Sequence, residues 1–324
     1  MHISTMKKTF MFDPHTHPPY VIWSQEVIGK LWKQGRKNVM KRWFPMKRNL
    51  DTFLQLYLPK TKEGNVAINL CSMTQDRFAD LLSQLQEASE KARLKRDFAL
   101  ADIDLTNSDY FLGFKTSQGR EFYIIRAQEP HAAGGHAVIF PVTRVIHVDY
   151  DQHDRRNLWG IIEEVRRNED ITPIVAATHP CMKLSLGERG YLELVNERDD
   201  FSVSPKNLER YIRAGLIDAI EINNAAVGTK HNNEIEIYAL LIALRYGIPM
   251  WVGSDTYSPA NILTNYDIMD MDFHDAKKLT AGIRNNLQSR KYDIYVGKIK
   301  NPIKEKFDHG VPVLLAWDMK RELV

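Results

Sequence analysis

Short apolar runs bounded by turn residues recur along the chain, and most are separated by stretches in which apolar residues return every three or four positions. Runs of the first kind read as buried strands and stretches of the second kind as helices. Seven strands are predicted, at residues 9–13, 66–71, 122–128, 137–142, 173–178, 218–223 and 249–254. Between them, Phe78, Leu81, Leu82, Leu85 and Ala88 share one helical face, as do Leu158, Ile161, Ile162 and Val165, and then Leu208, Tyr211 and Ile212. Ser204 and Pro205 read as the N-cap and first residue of the last of these helices. Residues 232–246 are apolar nearly all round, which predicts a helix buried against a sheet, and Gly247 ends it. Strand followed by helix is the pattern of a parallel α/β domain.

Composition narrows this picture. With 324 residues and 44% hydrophobic content the chain can build one large domain or two ordinary ones, and a disordered tail protein is excluded. Forty-four Lys and Arg against forty-one Asp and Glu leave a net charge of +3, so no global field favours nucleic acid or an anionic membrane. The two cysteines, Cys71 and Cys181, are too few for a disulfide framework. Lys7 and Lys8 are followed by four uncharged residues before Asp13, shorter than the apolar core of an export signal, so a cytoplasmic location is expected. The most apolar stretch, residues 237–244, ends at Arg245 and falls far short of the roughly 20 residues that span a bilayer.

Two stretches do not fit the strand–helix unit and read as insertions. Within residues 18–65, Lys30, Lys33, Arg36, Lys37, Lys41, Arg42, Lys47 and Arg48 are interleaved with Trp32, Trp43 and Phe44. The second, residues 181–203, is polar and contains Lys183 and Arg189. Loops after strands are where barrels build active sites, so both are expected to shape a pocket.

The strongest chemical signal is Asp13-Pro14-His15-Thr16-His17, directly after the first strand. Two imidazoles one residue apart at a strand end can converge on one cation, and imidazole suits Zn, Mn or Fe. Such a pair is weak alone; its weight comes from what ends the other strands. Thr178-His179-Pro180 ends the fifth, Glu221-Ile222-Asn223-Asn224 lies in the sixth, Gly253-Ser254-Asp255 ends the seventh, Glu129 follows the third and His136 opens the fourth. Side chains at the carboxyl ends of parallel strands meet at one rim of a barrel.

Together these residues resemble the polymerase and histidinol phosphatase (PHP) domain superfamily. Its opening Asp-x-His-x-His is similar to Asp13, His15 and His17, and its central Glu followed by a His to Glu129 and His136. Its His-Pro is similar to His179-Pro180, its Glu-x-Asn segment to Glu221-Ile222-Asn223, and its Gly-Ser-Asp-x-His to residues 253–257, all in the same order. The resemblance covers roughly residues 9–295 of a single domain, leaving the two insertions and a C-terminal extension, 296–324, unmatched. It implies a distorted (β/α)7 TIM-like barrel with loop insertions, in agreement with the seven strands. It also implies a first metal position at His15, His17, Glu129 and Asp255 and a second at Glu129, His136 and His179, with Glu129 bridging and with Glu129, Asp255 and His179 as the catalytic group.

The chain departs from the family at a third metal position. Where the family has a His in a Thr-Asp-His turn and another in its closing motif, this sequence has Met73-Thr74-Gln75-Asp76 and Tyr257. Two divalent ions, or one, are therefore expected, and Tyr257 joins Asp13, Glu221, Asn223, Lys183 and Arg189 as supporting or substrate-binding groups. Each residue also has a plainer reading: the His15 and His17 pair as hydrogen-bond partners of nearby carboxylates, His179 as a turn residue, Asp255 as a helix N-cap. Glu121 precedes its strand and would sit at the opposite rim, whereas His131 competes with His136. His147, Asp149, Asp151 and His153 alternate as a ligand set would, but in a charged linker where solvated polar residues are ordinary; His2, His231, His274 and His309 read as surface or structural.

The function expected is that of a metal-dependent hydrolase, a phosphoesterase before any other, in which a hydroxide bridging the ions attacks phosphorus. The cations lower the pKa of water to about 7, and Lys183 or Arg189 would neutralise phosphate oxygens. Two other readings stay open. Amidohydrolase-like C–N or C–O hydrolases also begin with His-x-His, but commonly carry a bridging Lys where this chain has Glu129. A PHP-type binding domain without turnover would keep the barrel. The expected partner is a small phosphorylated substrate, with nucleic acid as the alternative through the basic segment 18–50, where eight Lys and Arg face one acid, Glu26; no membrane partner is expected.

Overall fold

A computed structural model describes residues 8–17, 49–72, 76–130, 132–146, 156–180, 203–224, 232–255 and 262–296. In chain order these form β1 (Lys8–Thr16), α1 (Asn49–Tyr57), a 3-10 helix (Leu58–Lys62), β2 (Asn65–Ser72), α2 (Arg77–Gln84), α3 (Ala88–Asp97), β3 (Leu100–Asp104), β4 (Phe111–Thr116), β5 (Glu121–Gln128) and β6 (Ala137–Phe140). There follow α4 (Leu158–Asn168), β7 (Ile174–Ala177), α5 (Pro205–Arg213), β8 (Ala219–Asn224), α6 (Asn232–Tyr246), β9 (Met250–Gly253), β10 (Asn265–Met271), α7 (Ala276–Ser289) and β11 (Tyr292–Val296). Lys183, Arg189, Tyr257, Gln75, His131, the 147–153 cluster and the basic residues of 18–48 lie outside the described residues.

The strands make one mixed sheet in the order β11-β10-β1-β2-β5-β6-β7-β8-β9, with the β3–β4 hairpin laid against β5. Its two arms, β1-β2-β5 and β7-β8-β9, each pair in parallel. Between them β6 runs against both neighbours. The sheet curls until its edge strand β9 comes against β1 and β10, and at the rim the Asp255 N–H donates to the His15 carbonyl at 2.7 Å. The architecture is therefore a nearly closed, barrel-shaped mixed sheet of eleven strands, and the parallel seven-unit barrel is corrected accordingly. All seven expected strands exist, but the fourth is reversed, and β3, β4, β10 and β11 are additional.

Alternation explains the layering. Along β5, Tyr123, Ile125 and Ala127 pack with Phe10, Phe12, Phe140 and Trp251, joined by Leu279 and Ile283 of α7. Phe122 and Ile124, on the other face, pack with Leu54 and Tyr57 of α1 and Phe78 and Leu81 of α2. A strand buried on both faces reads as a continuous apolar run, which is why this one was legible. Residues 49–57, grouped above with the first insertion, form a helix in the connection between the parallel strands β1 and β2 and bury Leu50, Phe53, Leu54 and Tyr57; such crossovers are usually made by a helix.

The helix ends follow local chemistry. Ser204 Oγ accepts from the Asn207 amide at 3.3 Å and Pro205 follows it; Asn157 caps α4 through the Gly160 amide at 2.7 Å. Gly247, at φ +66°, ends α6 in the left-handed region that glycine occupies at little cost. One expectation for α6 needs correction. Ala239, Ile242 and Ala243 are buried, whereas Ile237, Tyr238, Leu241 and Leu244 are exposed, because only one side of this all-round apolar helix meets the sheet. No helix among the described residues is long and apolar enough to cross a membrane.

In one cluster with Ala239, Ile242 and Ala243 of α6, α4 buries Leu158, Ile161, Ile162 and Val165. Ile162→Ala is expected to destabilise the protein by about 2–5 kcal/mol through lost burial and the cavity left behind, with metal binding little changed. Urea unfolding and a metal titration on the same variant check both halves.

Candidate metal centre

The rim is assembled by strand ends. His15 and His17 come from the end of β1, Glu129 from the residue after β5, His179 from two residues after β7 and Asp255 from two residues after β9. His136 precedes β6, and because that strand is reversed its amino end reaches the rim formed by the carboxyl ends of the others. A strand reversal thus brings an opening residue into a site otherwise made of closing residues. Glu121, at the start of β5, pairs instead with Lys8 at the start of β1, at the opposite end of the sheet.

Glu129 stands at the centre. Its Oε2 lies 3.4 Å from His15 Nε2 and 3.1 Å from His17 Nε2. Its Oε1 lies 3.4 Å from His136 Nδ1 and 3.2 Å from His179 Nε2. One oxygen faces each pair of imidazoles. Asp255 Oδ1 completes the first half at 3.4 Å from His15 Nε2 and 3.1 Å from His17 Nε2. Two groups of buried or nearly buried donors result, His15 with His17 and Asp255, and His15 with Glu129 and His179.

Around these donors stands a second set of contacts. Glu221, inside β8, reaches His15 Nδ1 with Oε1 at 3.0 Å and accepts the His179 amide on Oε2 at 2.6 Å. His17 Nδ1 lies 3.2 Å from the Cys71 carbonyl, and Thr178 Oγ1 donates to Glu129 Oε1 at 3.0 Å. Asp13 Oδ1 accepts the amides of His15 at 3.2 Å and Ser254 at 3.1 Å. Asn223 Oδ1 accepts from Asn265 Nδ2 at 2.7 Å, which ties it to β10. The sequence did not point to Cys71, Thr178, Ser254 or Asn265. Cys71 acts through backbone and Asn265 lies in an unrecognised strand, so neither carries a motif; for Thr178 and Ser254 the adjacent His179 and Asp255 were the available signal.

Backbone strain marks the same places. His179 and Asp255 have φ values of +30° and +42°. Such conformations cost of order 1–3 kcal/mol each in non-glycine residues and persist where the surroundings enforce them. Gly253 is required for a different reason: a Cβ there would collide with Glu221 Oε1 and would come 2.6 Å from His15 Cβ.

The donor set fits a cation. Ligands about 2.0–2.2 Å from one ion stand about 2.8–3.1 Å from each other in an octahedral arrangement and about 3.3–3.6 Å in a tetrahedral one; the pairs above, at 3.1–3.4 Å, fall within that span. His15 Nε2 is fully buried without a hydrogen bond of good geometry, and a buried polar atom of this kind calls for a partner. The outer contacts to His15 and His17 also fix which ring nitrogen faces inward, as the partners of metal-binding histidines do.

Electrostatics agree. Burial opposes charge on Glu129, but the His15 charge and the contacts of His136, His15 and His17 hold its carboxyl well below the ordinary range. Burial likewise opposes charge on His15, yet Asp255, Glu221 and Glu129 push it well above the usual imidazole value. His17 is raised despite burial by Asp255 and Glu129, and His179 by Glu129. For His136 burial prevails and the shift is downward. Asp13 is pushed up to about 7 by burial, against hydrogen bonds from Ser254 and His15.

No protein-family profile matches the chain, and no curated protein matches it. Among solved structures it is similar to PsfC from Pseudomonas syringae PB-5123, at 12% identity and TM-score 0.43 over 98% of this chain and 100% of that one. It is similar to a two-domain protein from Bacteroides vulgatus containing a predicted PHP-like metal-dependent phosphoesterase, at 12% identity and TM-score 0.43 over 93% of this chain and 70% of that one. It is also similar to the lesion-specific endonuclease PfuEndoQ from Pyrococcus furiosus, at 14% identity and TM-score 0.39 over 88% of this chain and 57% of that one.

The electrostatics favour protons on the metal-free cluster. With His15, His17 and His179 raised, the site holds imidazolium near neutrality, and a cation must displace those protons to bind. Because these imidazoles are raised, apparent Mn²⁺ affinity is expected to go on rising as pH climbs above the ordinary imidazole range, with net proton release. Calorimetric titration in buffers of different ionisation enthalpy measures the released protons; a buffer-independent heat would contradict the assignment.

Proposed function

We propose that the protein is a metal-dependent hydrolase acting on phosphoesters, with two divalent ions, Zn²⁺, Mn²⁺ or Fe²⁺, at the rim. The observation that carries this reading is the Glu129 carboxylate, which turns one oxygen toward His15 and His17 and the other toward His136 and His179. His15, His17, Asp255 and Glu129 would hold one ion, and Glu129, His136 and His179 the other. Divalent ions bound there would lower the pKa of a water to about 7 and neutralise charge on a phosphoryl oxygen.

The chain's own residues have separate duties. Glu221 holds His15 through Nδ1 and His179 through its amide, so one buried carboxylate sets the attitude of a ligand in each half. The Cys71 carbonyl orients His17, and the Thr178 hydroxyl keeps Glu129 Oε1 aimed at His136 and His179. Asp13 draws the ends of β1 and β9 together and so fixes His15 beside Asp255. Such fixed donors need little rearrangement as charge develops, which is how a preorganised site lowers a barrier. Tyr257 and the basic residues Lys183 and Arg189 are proposed as substrate contacts on their sequence position alone, as is binding of nucleic acid by the basic segment 18–50.

Protein purified without chelators is expected to carry two metal equivalents per chain by plasma mass spectrometry, and a His15→Ala, His179→Ala double variant fewer. With Mn²⁺ supplied, His179→Ala should lower the hydrolysis of p-nitrophenyl phosphate and its diester by about 100-fold or more while circular dichroism stays unchanged. Wild-type turnover in that variant, or hydrolysis of esters and amides with none of phosphoesters, would sink the proposal.

A further inference from the structure

Among the described residues β9 pairs with β8 and with no other strand, although its free edge lies against β1, β10 and β11 and so closes the barrel. Every second residue along that edge meets a side chain from across the gap. The Met250 amide donates to Tyr292 Oη at 3.2 Å, and that hydroxyl donates to the Met250 carbonyl at 2.5 Å. The Val252 amide faces the Asp267 carboxyl. The Ser254 amide donates to Asp13 Oδ1 at 3.1 Å. Between the last two, Asn265 Nδ2 donates to the Gly253 carbonyl at 3.3 Å.

Asp267 is the unexplained member. It lies in β10 opposite Phe12 of β1 and Ile294 of β11 and is fully buried. Neither of its oxygens forms a hydrogen bond of full geometry, it is no part of the donor set, and an isolated carboxyl in an apolar interior is costly. Facing it is an edge amide that would itself be buried without an acceptor, an equally unfavourable arrangement.

We propose that Asp267 is a positioning residue for the metal centre: with Tyr292 and Asp13 it replaces the absent backbone ladder between β9 and its neighbours and sets the distance between Asp255 and the His15–His17 pair. The proposal rests on the metal-centre reading above. Asp267 touches no substrate; it acts through the backbone of β9, three residues before Asp255.

Two substitutions test it. Asp267→Asn keeps an oxygen that accepts from Val252, while Asp267→Leu fills the same space without one. In metal-free protein, amide hydrogen exchange across 250–255 should quicken by about tenfold in Asp267→Leu and stay near wild type in Asp267→Asn. Mn²⁺, titrated alone, should bind Asp267→Leu roughly tenfold more weakly, with Asp267→Asn restoring affinity. Unchanged exchange in Asp267→Leu overturns the role in the seam. Faster exchange with wild-type Mn²⁺ affinity overturns the positioning role. Failure of the centre itself is read separately, as a wild-type chain that takes up no Mn²⁺, and it removes the proposal as well. Should Asp267→Leu not fold, Tyr292→Phe, which removes only the partner of Met250, carries the same two readouts, and wild-type behaviour in both overturns the proposal.

Discussion

Glu129 is 2% exposed and its carboxyl is held in the charged form, and a buried charge persists only where opposite charge and hydrogen bonds surround it. Four imidazoles and the Thr178 hydroxyl supply that surrounding. The same four imidazoles, brought so close together, would repel or desolvate one another without the carboxylate between them. Each half of the cluster therefore depends on Glu129, and the ends of β1, β5, β6 and β7 are held in register by what their terminal residues must satisfy.

Strand direction is the means by which this is done. Parallel strands deliver their last residues to one rim, and a reversed strand delivers its first, so β6 contributes His136 without a crossover helix of its own. The turns leaving β7 and β9 then bend sharply, with His179 and Asp255 in left-handed backbone. His and Asp enter positive φ more often than most non-glycine residues, though still at a cost, and the conformation is sustained by the hydrogen bonds anchoring them, the His179 amide to Glu221 and the Asp255 amide to His15. Strain at these two positions and bonding at their amides are parts of one arrangement.

Much of this was legible in the sequence because burial on both faces writes a continuous apolar run, and ligand-type residues at the ends of such runs stand out. What was not legible follows from the same logic. In β10, Asn265, Asp267, Met269 and Met271 share the buried face, so the inward positions read as half polar and the strand escapes a search for apolar runs. The reversal of β6 leaves no trace in composition, since Ala137–Phe140 is apolar in either direction. The apolar outer stripe of α6 made a half-exposed helix look fully buried. Contacts through Cys71 and the amides of Ser254 and His179 are backbone geometry, which no side-chain motif encodes.

The unread strand is also the one that closes the barrel. A backbone ladder would fix neighbouring strands about 4.8 Å apart along their whole length, whereas a side chain interposed between amide and acceptor holds them further apart. Over Met250 and Val252 the gap is spanned by Tyr292 and Asp267, and at the rim, just past β9, the Asp255 amide bonds directly to the His15 carbonyl of β1 at 2.7 Å. The seam is therefore spanned by side chains beneath and by a backbone hydrogen bond at the site. That upper end carries Asp255 beside His15 and His17, and because metal donors must be held to within about 0.5 Å, the polar groups that span the rest of the seam bear on the site through the backbone of β9.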